Sequence, residues 1–224
     1  MVGLCRGILQ GINLNGGDYR VVENNSIEMH FDYDERALLS QRALRQKEKY
    51  STLETGMFIR NQLETFSKTK IFDEQMEIVL PNSFGIMPDN YAKVKYPSNF
   101  RPHIIFTNAS LSVNLGFSLL MQKANEDEIG DMAVHLKNML KRSNPTVQIY
   151  GQETKKTLQC LKVWYDFRTQ ALDEAIYNIH FLAVINSRVM HGMFNCLYRE
   201  TDDWYEMAQQ IIESVRDISM DWRK

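Results

Sequence analysis

Three consecutive segments near the C-terminus alternate apolar and polar residues, and only short polar breaks separate them. The segments read QCLKVWYDFRTQ, AIYNIHFLAVI and RVMHGMFNCLYR. Alternation with a period of two is typical of strands, and short breaks join antiparallel neighbours. The next segment, TDDWYEMAQQIIESVRDI, repeats its apolar residues at helical spacing. Because an apolar helix stripe has to be buried, the sequence predicts a helix packed on an antiparallel sheet.

Earlier segments add further strands and a second helix. Strands are predicted in QMEIVLPNSFGIM, PHIIFTNAS, LSVNLGFSLL and TVQIYGQE. NEDEIGDMAVHLKNMLKRSNP places apolar residues at helical spacing, acids in its first turn and bases near its end, which suits the helix dipole. The predicted fold class is α+β, an antiparallel β-sheet packed with helices.

The N-terminal third has a different character. NLNGGDYR carries a tight-turn signal and SIEMHFDYD alternates like a strand with one wet face. Residues 34–70 are rich in good helix formers and predict one or two helices, the second beginning at a capping-box pattern, Ser51-Thr52-Leu53-Glu54. The sequence therefore predicts N-terminal strands plus a helical extension over residues 1–70, and a sheet-and-helix domain over residues 71–224.

Turn length predicts which residues of the last three strands share a face. A three-residue turn LDE followed by a two-residue turn Asn186-Ser187 gives one apolar face. This predicted core face comprises Val163, Tyr165, Phe167, Tyr177, Ile179, Phe181, Met190, Gly192, Phe194 and Cys196. The opposite, wet face comprises Trp164, Asp166, Arg168, Asn178, His180, His191, Met193 and Asn195.

The wet face is the strongest candidate binding surface. An antiparallel sheet often has one solvated face, so a plain polar surface is the alternative. The partner-binding candidates are Trp164, Asp166, Arg168, Asn178, His180, His191 and Met193. Two histidines beside an aspartate resemble a metal site, but the pattern offers no third ligand, so no metal is predicted.

The segment KVKYPSNFRPHIIFTNAS contributes two more candidates. Pro97 and Pro102 disfavour helix at the residues before them and fit poorly in a central strand, so YPSNFRP is predicted to be a loop. Lys95 and Arg101 would then lie at its rim as partner contacts, although a structural corner explains the same pattern.

Charge, cysteines and hydropathy restrict the setting. A net charge of −2 argues against phosphate-led nucleic-acid binding. Cys5, Cys160 and Cys196 are odd in number and show no metal-ligand spacing, which indicates reduced thiols. The opening MVGLCRGILQG lacks the basic region of a secretion signal, and no segment approaches the length of a membrane span. We therefore expect a cytoplasmic protein without membrane insertion.

Catalytic motifs are missing from the sequence. It contains no GxGxxG, GxxxxGK[ST], GxSxG or HExxH pattern, and its carboxylate pairs lie where helix starts or strand ends explain them. We therefore expect no enzymatic activity, no catalytic residues and no cofactor.

The order of elements from Met76 onward resembles the PsbP-like fold family, which includes PsbP, Mog, DcrB-like and bacterial Eag-type proteins. The resemblance rests on EIVLPNSF, on the strands PHIIFTN and SVNLGFSL, and on YNIHFLAVINSRVMHGMFNC leading into WYEMAQQIIESV. It covers about two thirds of the chain. Members of this family are mostly binding or adaptor modules, and the Eag-type members load effectors onto type VI secretion spikes.

The resemblance implies a non-enzymatic adaptor or chaperone that binds another protein. That partner would be an effector or an apparatus component of a type VI-like secretion or contractile injection system. Two alternatives stay open: a structural subunit of a larger assembly that docks through residues 34–70, and a small-molecule-binding protein that uses the polar sheet face. Self-association into a homo-oligomer is also left open.

Overall fold

The computed structural model describes residues 40–42, 44–45, 48–98, 101–157, 160–171 and 173–219. The chain divides into two compact units, Met1–Leu44 and Arg45–Lys224. The described residues of the first unit are helical, as are residues 45, 48 and 49 of the second. The predicted turn in NLNGGDYR, the strand in SIEMHFDYD and Cys5 lie outside the described residues.

The residues that the structure describes in the second unit form three antiparallel sheets. Its strands are β1 Ser51–Thr52, β2 Gly56–Ile59, β3 Gln62–Glu64, β4 Phe66–Ile71, β5 Met76–Pro81, β6 Gly85–Ile86, β7 Ile104–Thr107, β8 Asn114–Lys123, β9 Gln148–Lys156, β10 Leu161–Gln170, β11 Ala175–Ile185, β12 Arg188–Leu197 and β13 Arg216–Asp217. The central sheet has the order β6-β7-β8-β12-β11-β10-β9, and the two small sheets have the orders β1-β2-β3 and β13-β5-β4. Its helices are α1 Asp89–Lys95, α2 Ile129–Ser143 and α3 Thr201–Ser214, with a 3-10 turn at Tyr198–Glu200.

Both faces of the central sheet are covered. The front face, which includes Phe117, Phe181 and Phe194, packs against α3 and against apolar residues of the small sheets. The back face, which includes Val163 and Tyr165, packs against α2. The predicted α+β class is confirmed, but no face of the sheet is left wholly to solvent.

Both predicted amphipathic helices are present. The segment from Ile129 forms α2, and the terminal segment forms α3 with Trp204 and Ile211 buried in the front-face core. The apolar pattern continues past the end of α3, because Val215 and Ile218 are buried although the helix ends at Ser214.

The helix predicted to begin at Ser51 is wrong. Residues 51–71 form β1 to β4 instead. Arg60 and Asn61 adopt positive φ angles of 48° and 62°, which reverse the chain between β2 and β3 where a helix would continue. Met57 is buried in the front-face core, and β4 pairs with β5 on the other side of the predicted boundary at residue 70. This segment is therefore part of the second unit.

The predicted register is right for one hairpin and wrong for the other. Asn186 and Ser187 form the two-residue turn, and Ile185 pairs with Arg188 as expected. Gln170 pairs with Ala175, so the turn before β11 has four residues, closed by the Ala171 N–H donating to the Glu174 carbonyl. One extra turn residue moves every side chain of β10 to the opposite face relative to β11.

Candidate functional site

The predicted wet face is divided between the two faces of the sheet. Trp164, Asp166 and Arg168 lie on the front face, opposite Phe181, Ile179 and Tyr177 of β11. The back face carries the remaining residues of the predicted wet face, which are Asn178, His180, His191, Met193 and Asn195. Trp164 is 4% exposed and Met193 is 9% exposed, so both are core side chains rather than surface contacts.

The two candidates from the predicted loop, Lys95 and Arg101, lie in different surroundings. Lys95 ends α1, and its ammonium group donates to the Leu111 carbonyl. Burial lowers the pKa of Lys95. This lysine therefore ties α1 to the loop before β8, whereas Arg101 lies at the mouth of a groove on the back face. The described part of YPSNFRP beyond Lys95 has no helix or strand, as predicted.

A cleft rich in tyrosine lies at one corner of the front face. We call it the tyrosine cleft; it encloses about 710 Å³ and is lined by Tyr150, Asp166, Tyr177, Tyr198, Arg199, Thr201, Asp202, Tyr205 and Glu206. These residues come from β9, β10, β11, the 3-10 turn and α3. Tyr150 is 50% exposed and Tyr198 is also exposed, so two of the four rings are available to a partner.

Contacts within the tyrosine cleft hold its rings in place. The Tyr150 hydroxyl donates to the Tyr198 hydroxyl at 3.3 Å, and the Arg168 guanidinium lies over the Tyr198 ring, 4.5 Å from its centroid. Tyr177 meets Tyr205 edge to face with centroids 6.1 Å apart. Stacking and hydrogen bonds of this kind restrict the rings before any partner arrives.

Asp166 organises the floor of the tyrosine cleft. Its carboxylate accepts a hydrogen bond from the Tyr177 hydroxyl at 2.8 Å and one from the Gly151 N–H at 3.0 Å. Burial and the neighbouring carboxylate raise the pKa of Tyr177, so this phenol keeps its proton. The charges at the cleft therefore belong to its carboxylates and to Arg168 and Arg199, and Arg199 forms an ion pair with Glu174.

A second concave surface lies on the back face beside α2. We call it the helix groove; it encloses about 750 Å³ and is lined by Arg101, His103, Ser118, Leu120, Gln122, Asp131, Met132, His135, Leu136, Leu182, Val189 and His191. Leu182, Val189 and Ser118 are buried and form its floor, whereas His103, Gln122, Asp131 and His135 are exposed at its rim.

Two neighbouring histidines belong to the back face. The His191 ring meets the His180 ring edge to face, and His180 also contacts Phe167 with centroids 4.9 Å apart. Burial lowers the pKa of His191 to about 4, and burial together with His191 lowers the pKa of His180 to about 3. The Nε2 atom of His191 is buried without a hydrogen-bond partner.

The described part of the chain contains neither a metal-ligand cluster nor a membrane-spanning helix. Within it, no group of three or more histidine, cysteine, aspartate or glutamate side chains is placed to hold a metal ion. None of the helices that the structure describes is both long and apolar enough to cross a bilayer.

Sequence reasoning missed most of the residues that form these two surfaces. Tyr150, Tyr198 and Tyr205 lie in separate elements, and their meeting depends on the β10–β11 register that the sequence misassigned. A four-residue turn would have predicted Asp166 and Arg168 on the Tyr177 face. The helix groove depends on where α2 packs, which no local pattern specifies.

Comparison with known proteins identifies the fold. No family model and no curated protein matches the sequence. The solution structure of cyanobacterial PsbP (CyanoP) from Synechocystis sp. PCC 6803 matches with a TM-score of 0.51 and 10% identity over 68% of this chain and 92% of that chain. The Saccharomyces cerevisiae Ran-binding protein Mog1p matches with a TM-score of 0.49 and 9% identity over 70% of this chain and 98% of that one.

A further match is LpqN, described as involved in cell envelope biogenesis of Mycobacterium tuberculosis. Its TM-score is 0.46 at 14% identity, over 75% of this chain and 97% of that chain. At identities this low, a structural match is evidence about the fold alone. The match to the CyanoP structure supports the fold assignment. The expected resemblance is therefore confirmed at the level of architecture: the chain has a PsbP-like fold.

Proposed function

We propose that this protein is a non-enzymatic binding module that holds a segment of another protein in the tyrosine cleft. The observation that carries the proposal is the convergence of four tyrosines and two arginines, from five elements, around one open concavity. Tyrosine and arginine are enriched among the residues that dominate protein interfaces. Tyrosine has few rotatable bonds, so ordering it on binding costs little.

The edge of the central sheet supports the same proposal. Strand β9, which carries Tyr150, is the last strand in the sheet order and is exposed along almost its whole length. An extended segment of a partner can add to such an edge through main-chain hydrogen bonds, while adjacent pockets select its side chains. Lys155 and Lys156 at the end of β9 discourage indiscriminate pairing of this edge.

The surroundings of the histidine pair support the non-enzymatic half of the proposal. His180 and His191 contact each other and aromatic rings. Among the described residues, neither imidazole hydrogen-bonds a carboxylate, the group that orients histidine in acyl-transfer sites. Their lowered pKa values also lie well below the range suited to acid–base exchange near neutral pH.

The finer form of the proposal is an adaptor or chaperone for a type VI-like secretion or contractile injection system. It rests on the resemblance of the strand and helix order to Eag-type proteins, and its partner would be an effector or an apparatus component. Genes for a spike, a sheath or an effector beside the gene for this chain would support it. Neighbours unrelated to secretion would count against it.

A site-specific photo-cross-linker in the source cell tests the proposal. Placed at Tyr150 or Tyr198, it should capture one protein partner, which mass spectrometry identifies. The matched position is Tyr91 on α1, which is 51% exposed and lies outside the cleft. Equal capture at Tyr91 and Tyr150, or no capture at either cleft position, would contradict the proposal; a product of two identical chains would show self-association instead.

Substitutions measure how much the cleft contributes once a partner is identified. Tyr198→Ala should weaken binding by about 2 kcal/mol, the loss typical of a central interface residue. Arg168→Ala should weaken binding too, because it removes the cation over the Tyr198 ring. Tyr91→Ala should leave the dissociation constant unchanged, and titration calorimetry compares the three variants.

A further inference from the structure

The helix groove has the size and the lining of a small-molecule site. Its volume of about 750 Å³ lies within the range of about 300 to 1,000 Å³ common for ligand pockets. Its floor combines buried Leu182 and Val189 with the side of α2 that carries Met132 and Leu136. A mostly apolar lining with few polar groups is what such sites share.

One polar atom of His191, a residue that lines the groove, lacks a hydrogen-bond partner. The Nε2 atom of His191 is buried and makes no hydrogen bond, and leaving a buried polar nitrogen unsatisfied destabilises the folded state. Ser118 lies directly across the strand pair from His191 and also lines the groove. A ligand that brought a hydrogen-bonding group to this position would remove that cost.

The charges at the groove argue against a charged ligand. His191 and its neighbour His180 are neutral near pH 7, because burial lowers their pKa values to about 4 and about 3. At the rim, Arg101 and Asp131 carry opposite charges and come from different elements. Among the lining residues that the structure describes, these two charges offset each other, so neither sign is in excess to compensate the desolvation of an ionic group at the floor.

We propose that the helix groove binds a small, uncharged, mostly apolar molecule, and that a hydrogen-bonding group of this molecule meets His191. This site lies on the back face, whereas the tyrosine cleft lies on the front face. The inference is therefore independent of the proposed protein-binding function, and either can fail alone.

Two matched fluorescent probes test the proposal on the full chain. N-phenyl-1-naphthylamine is uncharged and has one N–H, and 8-anilinonaphthalene-1-sulfonate has the same rings with an added sulfonate. We expect saturable binding of the uncharged probe and binding of the sulfonate weaker by about tenfold or more, equivalent to about 1.4 kcal/mol. Equal or tighter binding of the sulfonate, or no saturable binding of the uncharged probe, overturns the proposal.

Variants test where the probe binds. Leu136→Trp fills the groove and His191→Phe removes the ring nitrogens while it keeps an aromatic ring, so each should weaken binding of the uncharged probe by about tenfold. Val134→Trp on the same helix is the control, because Val134 is 41% exposed and does not line the groove. Unchanged affinity in Leu136→Trp overturns the proposed site.

Methyl NMR of the unmodified protein provides a test that needs no substitution. Addition of N-phenyl-1-naphthylamine should shift the methyl signals of Leu120, Leu182 and Val189 in the groove. The methyl signals of Leu115 and Ile179 on the front face are the internal control and should not move. Shifts confined to the front face would overturn the proposal even if the variants failed to fold.

Discussion

The imidazole rings of His180 and His191 meet edge to face on the back face of the sheet, with centroids 4.9 Å apart and planes at 82°. The pKa of free histidine is about 6.5. In the folded protein both rings stay neutral at pH values well below that, because their pKa values are lowered. The unfolded chain therefore binds more protons than the folded one between about pH 6.5 and the lowered pKa values. Stability from this pair is complete above that window and declines through it as the pH falls.

The first prediction concerns this pH dependence. The free energy of unfolding should fall between pH 7.5 and pH 5, with each histidine adding a slope that approaches about 1.4 kcal/mol per pH unit. His180→Phe should reduce the slope because one proton is no longer taken up on unfolding. Urea unfolding at several pH values measures it. His135→Gln is the control, since His135 is exposed on α2; an identical slope in His180→Phe and the unmodified protein would contradict the prediction.

The second prediction concerns a close approach between two strands. Phe181 lies against Gly192, its cross-strand partner, and a Cβ atom at Gly192 would lie 1.9 Å from Cζ of Phe181. Gly192→Ala should therefore lower the free energy of unfolding by about 1 to 3 kcal/mol. The double variant with Phe181→Leu should lose less than the two single losses added together, because the smaller side chain relieves the overlap.

The matched control for Gly192→Ala is Gly130→Ala. Gly130 lies in the first turn of α2, and nothing is within 4 Å of a Cβ atom built there. Since alanine favours helix over glycine by about 1 kcal/mol, this variant should be neutral or slightly more stable. A loss as large as that of Gly192→Ala would show that the space around Gly192 is not the cause.

Local signals in the sequence predicted the strands and helices from Met76 onward better than they predicted the pairing of the strands. The Asn186-Ser187 turn was recognisable because asparagine tolerates a positive φ angle; Asn186 and Ser187 adopt 51° and 57°, as a two-residue hairpin requires. In QALDEA, by contrast, two turn lengths are possible. The turn has three residues if Ala171 ends β10 and four residues if Ala171 belongs to the turn. Nothing in the side chain of alanine decides that, and the whole face of β10 depends on it.

The burial of the polar back face could not be read from alternation either. Asn178, His180 and Asn195 look solvated in the sequence, yet Asn195 is buried and His180 is largely enclosed. Alternation separates two chemical types of side chain but does not say what covers them. Here α1 and α2 pack on the polar face, and side-chain hydrogen bonds satisfy part of it.

The third prediction concerns those hydrogen bonds. Thr107 Oγ1 donates to the Asn114 side-chain oxygen at 2.8 Å, Asn114 Nδ2 donates to Asn195 Oδ1 at 2.8 Å, and Asn195 Nδ2 donates to the Tyr96 hydroxyl at 2.9 Å. This chain runs from β7 across β8 and β12 to the end of α1. Asn114→Leu removes its central member and leaves buried partners unpaired, which should cost about 2 kcal/mol.

Amide hydrogen exchange should locate the effect of Asn114→Leu. Exchange in α1 should quicken more than exchange in α3, because the broken chain of hydrogen bonds ends at Tyr96 beside α1. Asn82→Ala is the control: Asn82 also donates to a threonine hydroxyl, at 2.8 Å, but it is exposed, so its loss should be within about 0.5 kcal/mol. If the two variants lost equal amounts of unfolding free energy, burial of the hydrogen bonds would not explain the effect of Asn114→Leu.

The fourth prediction concerns residues 34–70, which the sequence presented as a docking arm. Met57 and Ile59 of this segment are buried in the core that α3 and the front face share, and β4 pairs with β5 along its whole length. Deletion of residues 34–70 removes this packing and exposes β5, so the product should fail to fold. A chain of residues 45–224 keeps all of it and should unfold cooperatively, as followed by circular dichroism against temperature. A folded product of the deletion would contradict this assignment and would restore the docking-arm hypothesis.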